Sequence, residues 1–358
     1  MTRATRATID LRALQHNLTI ARQHAPGSRQ MAIIKANGYG HGLVEVAQAL
    51  SDADAFGVAC IDEAISLREA GIDQPVVLLE GFVHAEELRL IDGFQLQPVI
   101  HHPQQVEILE QSEGPALDVW LKVDTGMHRL GFDPEHAAAI MTRLLKCQRV
   151  GRIRLMTHLA NADDREDDFT HEQIRRFEEL AELAADERTI ANSAGLLGWP
   201  QSESDWARPG IMLYGVSPFI NGRGEQHDLC PVMTLRSQLI AVNRYQKGDP
   251  VGYGGNWRCP EPMPIGVVAI GYGDGYPRHV PNGTPVLLHG KRVPIVGRVS
   301  MDMLCVDLRE CPKAVIGDEV ILWGSGLPVE EIAEAAGTIA YELLCKVTSR
   351  VHFDYAVD

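Results

Sequence analysis

Residues 31–42 read Met31-Ala-Ile-Ile-Lys35-Ala-Asn-Gly-Tyr39-Gly-His-Gly42. A short apolar run ends on a lysine, and glycines follow at positions 38, 40 and 42. The run suits a buried strand. The glycines let another backbone or a ligand approach closely just beyond its end. An amine at the end of a buried strand is desolvated, which lowers its pKa and makes it usable for Schiff-base chemistry. A glycine-rich surface turn beside a snorkelling lysine accounts for the same letters. The segment is no dinucleotide fingerprint: Gly38, Gly40 and Gly42 lack the G-x-G-x-x-G spacing, and no ribose-binding acid neighbours them.

The unit recurs along the chain. From about residue 30 to 215, short apolar runs alternate with polar or glycine breaks and amphipathic segments. The runs cover residues 31–35, 55–60, 76–79, 97–100, 118–123, 154–157, 189–192 and, more faintly, 206–208. Residues 61–70 have helical spacing and stop at Gly71, a C-capping glycine. Residues 134–145 and 170–185 also space their apolar side chains as helices do, with Thr170 as the N-cap of the second. Eight strand–helix alternations predict a (β/α)8 TIM-type barrel.

After Pro231 the texture changes. Residues 232–242 are long and partly alternating; shorter runs at 265–270, 286–288, 293–296, 303–306 and 319–322 are broken by Gly, Pro and Asp. This spacing fits a mainly-β domain with tight turns, such as His289-Gly290-Lys291, and one isolated helix over 328–336. The expected architecture is therefore α/β, with a barrel over residues 1–230 and a β-rich domain over 231–358. The chain of 358 residues is long enough for a barrel of ~250 residues and a smaller module.

Composition narrows the function. A formal net charge of −15 argues against binding a nucleic-acid backbone, which takes clustered Lys and Arg. The seven cysteines are scattered, odd in number and without a Cys-x-x-Cys pair, as reduced thiols would be rather than a disulfide framework or zinc site. The basic start over residues 1–10 has no apolar run behind it to act as a secretory signal, and no stretch approaches the ~20 apolar residues of a membrane span. A soluble, cytoplasmic protein with no membrane partner is expected.

In a barrel of this kind the site is built at the C-terminal ends of the strands. Lys35 follows the first run, and Tyr39 could reach a phosphate from there. The fifth run leads into Lys122-Val-Asp-Thr-Gly-Met-His-Arg129, where the arginine could bind a carboxylate bidentately or stand solvated in a loop. The sixth leads into His158, a packed or hydrogen-bonding residue as readily as a catalyst. The seventh is followed by Asn192-Ser193-Ala194-Gly195, small residues suited to a phosphate cup, and the eighth by Arg208-Pro-Gly210-Ile211. Phosphate sites in such barrels commonly lie after strands seven and eight. A lysine at strand one with that cup makes a coherent pyridoxal-phosphate site. The C-terminal part adds glycine-flanked tyrosines at Tyr253 and Tyr272 and the segment 297–302 (GRVSMD), suited to close packing on a ligand or another chain, or to plain β-turns.

Taken in order, KANGYGHG, KVDTGMHRLG, NSA, RPGIMLYG, VGYGG, GYGDGYPR and GRVSMD resemble the bacterial alanine racemases over nearly the whole chain. The resemblance implies a fold-type III pyridoxal-phosphate barrel with a C-terminal β domain, paired head to tail as a homodimer with shared active sites. It implies L- and D-alanine as substrates, with D-alanine supplied to peptidoglycan or degraded. Lys35 matches the lysine that carries the cofactor and serves D-alanine; Tyr253, from the partner subunit, matches the base for L-alanine. Arg129 and Met301 match substrate-carboxylate contacts. Tyr39, Ser193, Gly210, Ile211 and Tyr272 match the phosphate set. Arg208 matches the partner of the pyridine nitrogen, and His158 a link between Tyr253 and Arg208. Lys122 matches a lysine carbamylated in many relatives, where the carboxylate orients the arginine at Arg129. Two positions depart from some relatives: Ser300 stands where a cysteine precedes the Met-Asp pair, and Ser349 where a phosphate-contacting tyrosine lies.

Two other functions share parts of this pattern. A fold-type III amino-acid decarboxylase usually carries a Cys-Glu-Ser-Asp type motif, which this sequence lacks. A non-catalytic pyridoxal-phosphate carrier is a single barrel, against which the residues after Pro231, with Tyr253, argue.

Overall fold

The computed structural model describes residues 4–356. Of the basic segment 1–10, residues 1–3 lie outside the described residues; Arg6–Asp10 is the first strand, β1. Eight strands then close into a parallel barrel: β2 (Arg29–Ile33), β3 (Ala55–Val58), β4 (Val76–Leu78), β5 (Leu96–Ile100), β6 (Leu117–Lys122), β7 (Val150–Met156), β8 (Glu187–Thr189) and β9 (Trp206–Ala207). Each of the eight apolar runs contributes to one of these strands. The run at 189–192 overlaps β8 only at Thr189, because Ile190 and Ala191 are buried beyond the end of the ladder.

The strands form because their apolar residues have no solvent face. Val76, Val77 and Leu78 of β4 are all fully buried, as a parallel sheet covered on both sides requires. Inside the barrel, Trp120 and Trp206 meet edge to face with ring centroids 5.7 Å apart.

The surrounding helices follow local signals. In Pro134–Lys146, Asp133 accepts a hydrogen bond from Glu135 N at 2.9 Å, and proline stands in the first turn. Its buried residues, Ala137, Ile140, Met141 and Leu144, fall on one helical stripe. The helix expected over 170–185 runs instead from Phe169 to Glu178. Thr170 is not its cap. The Phe169 amide is held by Asp167 at 2.8 Å, which starts the helix one residue earlier and leaves Thr170 fully buried inside it. Beyond Glu178, Leu180 N bonds to Phe177 O at three-residue spacing, and the helix tightens into turns.

The remaining strands are β10 (Met233–Tyr245), β11 (Pro250–Val251), β12 (Trp257–Arg258), β13 (Met263–Val268), β14 (Pro285–Leu288), β15 (Lys291–Val296), β16 (Leu304–Asp307), β17 (Glu319–Trp323) and β18 (His352–Ala356). An eight-stranded sheet runs β13-β16-β15-β14-β17-β10-β1-β18, and β13 also pairs with β10. β14 and β15 form the expected tight hairpin. His289 and Gly290 have φ of 50° and 73°, positive at both central positions, and Lys291 already belongs to β15. The expected isolated helix is Val329–Ala336, but a second, Ala340–Cys345, follows it; six residues are too few to display a helical period.

β1 lies between two strands from the far end of the chain, antiparallel to β10 and parallel to β18. Residues 4–14, 214–217 and 221–356 make up one compact unit, and residues 15–213 with 218–220 the other. Among the described residues, no helix is long and apolar enough to cross a membrane.

Candidate active site

Lys35 stands just past the end of β2, and the chain then turns left-handed. Ala36, Asn37, Gly38 and Tyr39 have φ of 54°, 54°, 60° and 50°. For residues with a Cβ this conformation costs ~1–2 kcal/mol each. Hydrogen bonds from both sides compensate. Gly38 N donates to Ile34 O at 2.8 Å, and Leu43 N to the Asn37 side chain at 2.9 Å. The Glu63 carboxylate accepts from Asn37 N at 3.2 Å and from Ala59 N at 2.9 Å. His41 is fully buried under the turn, with Nδ1 donating to the carbonyls of Gly38 and Tyr39; burial pushes its pKa down to about 4.

Lys122 ends β6 and is buried. Its pKa falls to about 8, first through burial and then through the charges of Arg208, Arg129 and Lys35. The loop beyond it is closed at its base, where Phe132 N donates to Lys122 O and Asp124 N to Phe132 O. Asp124 also accepts from the amides of Gly126 and His128, so Arg129 sits exposed near the tip of a short, braced loop.

β7 delivers His158 and β9 delivers Arg208. The Arg208 guanidinium is buried and bonds to Thr189 Oγ1 (2.5 Å), Thr157 O (2.6 Å), Ile190 O (3.0 Å) and His158 Nδ1 (3.3 Å). Every one of these partners is neutral or titratable, and none is a carboxylate. Burial lowers the Arg208 pKa, although a guanidinium remains a cation at neutral pH. Burial, then the charges of Arg208, Lys122, Arg129 and Lys35, hold His158 well below the usual imidazole range. Within an acidic chain, four cations thus converge at the C-terminal mouth of the barrel.

The strand-eight and strand-nine ends meet beside them. Asn192 caps the helix Ser193–Gly198 by accepting from Gly195 N at 2.9 Å. Ser193 Oγ accepts from Gly210 N (2.8 Å) and Met212 N (3.3 Å). A Cβ added to Gly210 would lie 3.0 Å from Tyr39 Oη, so that hydroxyl adjoins the same cradle, with Ile211 next in the chain.

The structure therefore brings together Lys35, Tyr39, Lys122, Arg129, His158, Ser193, Arg208, Gly210 and Ile211 within the barrel unit. Tyr253, Tyr272 and Met301 belong to the other unit, where they are 69%, 39% and 52% exposed. Their loops are knit to one another. Tyr272 N donates to Ser300 O at 3.0 Å and Gly273 N to Met301 O at 2.9 Å. A Cβ at Gly297 would strike Val251 O at 2.7 Å, so the segment before Tyr253 packs on the same group.

Sequence reasoning missed Glu63 and Gln173. Glu63 had a faint signal, a glutamate three residues past Cys60 at the start of a helix, the spacing from which a side chain reaches back to the preceding amides. Gln173 had none, since it reads as one polar residue of an amphipathic helix.

Comparison with known proteins agrees along the whole chain. The family model described as the alanine racemase N-terminal domain matches residues 9–218, and that of the C-terminal domain matches residues 232–355. An alanine racemase of Coxiella burnetii is 54% identical over 360 residues, covering 99% of each chain. One from Aeromonas hydrophila is 52% identical over 355 residues, again covering 99% of each. The crystal structure of a biosynthetic alanine racemase from Pseudomonas aeruginosa superimposes with a TM-score of 0.97 at 46% identity, covering 99% of this chain and 100% of that one. The chain belongs to the alanine racemase family.

Proposed function

We propose that this protein interconverts L- and D-alanine with pyridoxal 5′-phosphate, as a cytoplasmic homodimer that shares its active sites, and so supplies D-alanine to peptidoglycan or degrades it. The observation that carries the reading is the cation cluster. Buried Arg208 has no carboxylate partner among its bonds, and Lys122 lies beside it with a lowered pKa. A buried guanidinium with spare N–H groups is retained where a further acceptor completes its hydrogen bonds. The cofactor's phosphate fits the cradle of Tyr39, Ser193, Gly210 and Ile211, and the family resemblance assigns Tyr272 to the same phosphate. Its ring nitrogen fits Arg208, which donates a hydrogen bond and does not surrender a proton. Its carbonyl carbon fits Lys35.

When bound, pyridoxal phosphate supplies an electron-poor ring that takes up the charge left as Cα loses its proton. The side chains do the rest. Arg129, with the backbone of the partner subunit's Met301, holds the substrate carboxylate and so fixes which faces of Cα are presented. Lys35 Nζ moves the proton on one face. Tyr253 Oη of the partner subunit moves it on the other; its exposure on its own chain leaves it available for that role. Two prepositioned bases outperform one that must swing between faces.

The test is polarimetric. Cofactor-loaded protein, given L-alanine and D-alanine separately, brings optical activity to zero from both sides. Persistent rotation with cofactor still bound to Lys35 defeats the reading.

A further inference from the structure

Gln173, on the helix Phe169–Glu178, is fully buried and spends its amide on two loops of the barrel mouth. Its Oε1 accepts from Ala160 N at 2.8 Å. Its Nε2 donates to His158 O at 3.1 Å and to Thr125 Oγ1 at 3.4 Å. Thr125 and Thr157 then share a hydroxyl–hydroxyl bond of 2.8 Å, both side chains being buried. The carbonyl of Thr157 receives Arg208, and that of Thr125 receives Arg176. One amide thus ties the loop carrying Arg129 to the segment carrying His158, and through Thr157 to the guanidinium of Arg208.

The pattern needs an amide. A carboxylate of the same shape could still accept from Ala160 N, and from the Thr125 hydroxyl if that turned its proton round, but it would set lone pairs against the His158 carbonyl, which can only accept. A thioether of similar length would bond to neither. Shortening the side chain by one methylene would withdraw it from the loops. Packing alone calls only for bulk at this position, whereas the two bonds to backbone prescribe one acceptor and one donor in fixed directions.

We propose that Gln173 is a positioning residue for racemisation. Together with Thr125 it sets His158 in register with Arg208. The inference rests on the reading given under Proposed function, because it matters to catalysis only if those residues serve the reaction. Gln173 itself touches neither substrate nor cofactor. Its effect is on the placement of His158, and through it on the proton transfer assigned to Tyr253, rather than on Lys35.

The experiment compares the cofactor-loaded parent, Gln173→Glu, Thr125→Val and Thr125→Ser in kcat, KM and the primary isotope effect with Cα-deuterated L- and D-alanine. Displacing reacting groups by about an ångström costs up to ~100-fold, so Gln173→Glu is expected to lose ~10-fold or more in kcat with KM within about twofold. Its isotope effect should change with L-alanine and not with D-alanine. Thr125→Val breaks the link at its other end and should lower kcat the same way; Thr125→Ser keeps the hydroxyl and should restore it. Parental kcat in Gln173→Glu overturns the proposal, as do equal losses in the two threonine variants or matching isotope effects for the two enantiomers. If Gln173→Glu does not fold, the threonine pair decides. A parent that does not racemise alanine defeats the functional reading instead, and the two failures are told apart by the parent alone.

Discussion

Nη2 of Arg208 lies 3.3 Å from Nδ1 of His158 and also reaches the carbonyls of Thr157 and Ile190. A guanidinium can only donate, so Nδ1 must accept, and the ring proton is left on Nε2. Burial and the surrounding cations oppose a second proton. His158 is therefore expected to remain neutral, as the Nε2–H tautomer, from pH 6 to 8. Nitrogen NMR of labelled histidine reads both features directly. A titration near the ordinary imidazole value of ~6.5 would contradict the arrangement.

Lys122 has the opposite chemistry available to it. With its pKa lowered to about 8, an appreciable fraction is free amine near neutral pH. Attack of that nitrogen on CO2 forms an N–C bond and releases one proton, leaving a carbamate anion among Arg129, Arg208 and Lys35. Protein equilibrated with carbon-13 bicarbonate should show a carbamate resonance that Lys122→Gln lacks. Only unmodified amine in the folded protein would refute this.

Tyr253→Phe must be tested by isotopes. The enantiomers have equal free energy, so kcat/KM is the same in both directions for any variant, however asymmetric its damage. Proton removal need not be symmetric. The variant should lose ~100-fold or more in racemisation, within the range general-base catalysis contributes. It should still exchange the Cα proton of D-alanine with deuterated solvent faster than that of L-alanine. Equal exchange from both enantiomers would sink the assignment.

His41 links the turn after Lys35 to acid stability. Unfolded, its ring takes a proton near pH 6.5; folded, it resists until about 4. The unfolded state binds more protons in that window, so stability is complete above pH 6.5 and falls as pH drops towards 4. The shift corresponds to a loss on the order of 3 kcal/mol. Urea midpoints should decline between pH 6.5 and 4 more steeply in the parent than in His41→Asn. Parallel curves would show that the ring contributes nothing to acid unfolding.

The barrel was legible because each strand is a short apolar run buried on both faces, as Val76, Val77 and Leu78 are, between recognisable breaks. The helix Pro134–Lys146 announced itself through Asp133 and Pro134. The left-handed turn was only half legible. Glycines at 38, 40 and 42 advertise positive φ, but Ala36, Asn37 and Tyr39 adopt it too, in a turn whose Asn37 amide is held by Glu63, remote in sequence. Gln173 was invisible for a related reason: it is buried by the loops carrying Thr125 and His158, which no local pattern brings over it. β1 was passed over because five residues carry little pattern, and its partners arrive from the other end of the chain.

That last pairing bears on how the protein is made. Arg6 sits opposite Arg236 on one side and His352 on the other, so β1 leaves the ribosome before either strand that completes it. All eight barrel strands are synthesised before either neighbour of β1 exists. The nascent chain therefore carries an unpaired strand edge while the whole barrel is being made, which is a template for wrong partners until β10 and then β18 emerge.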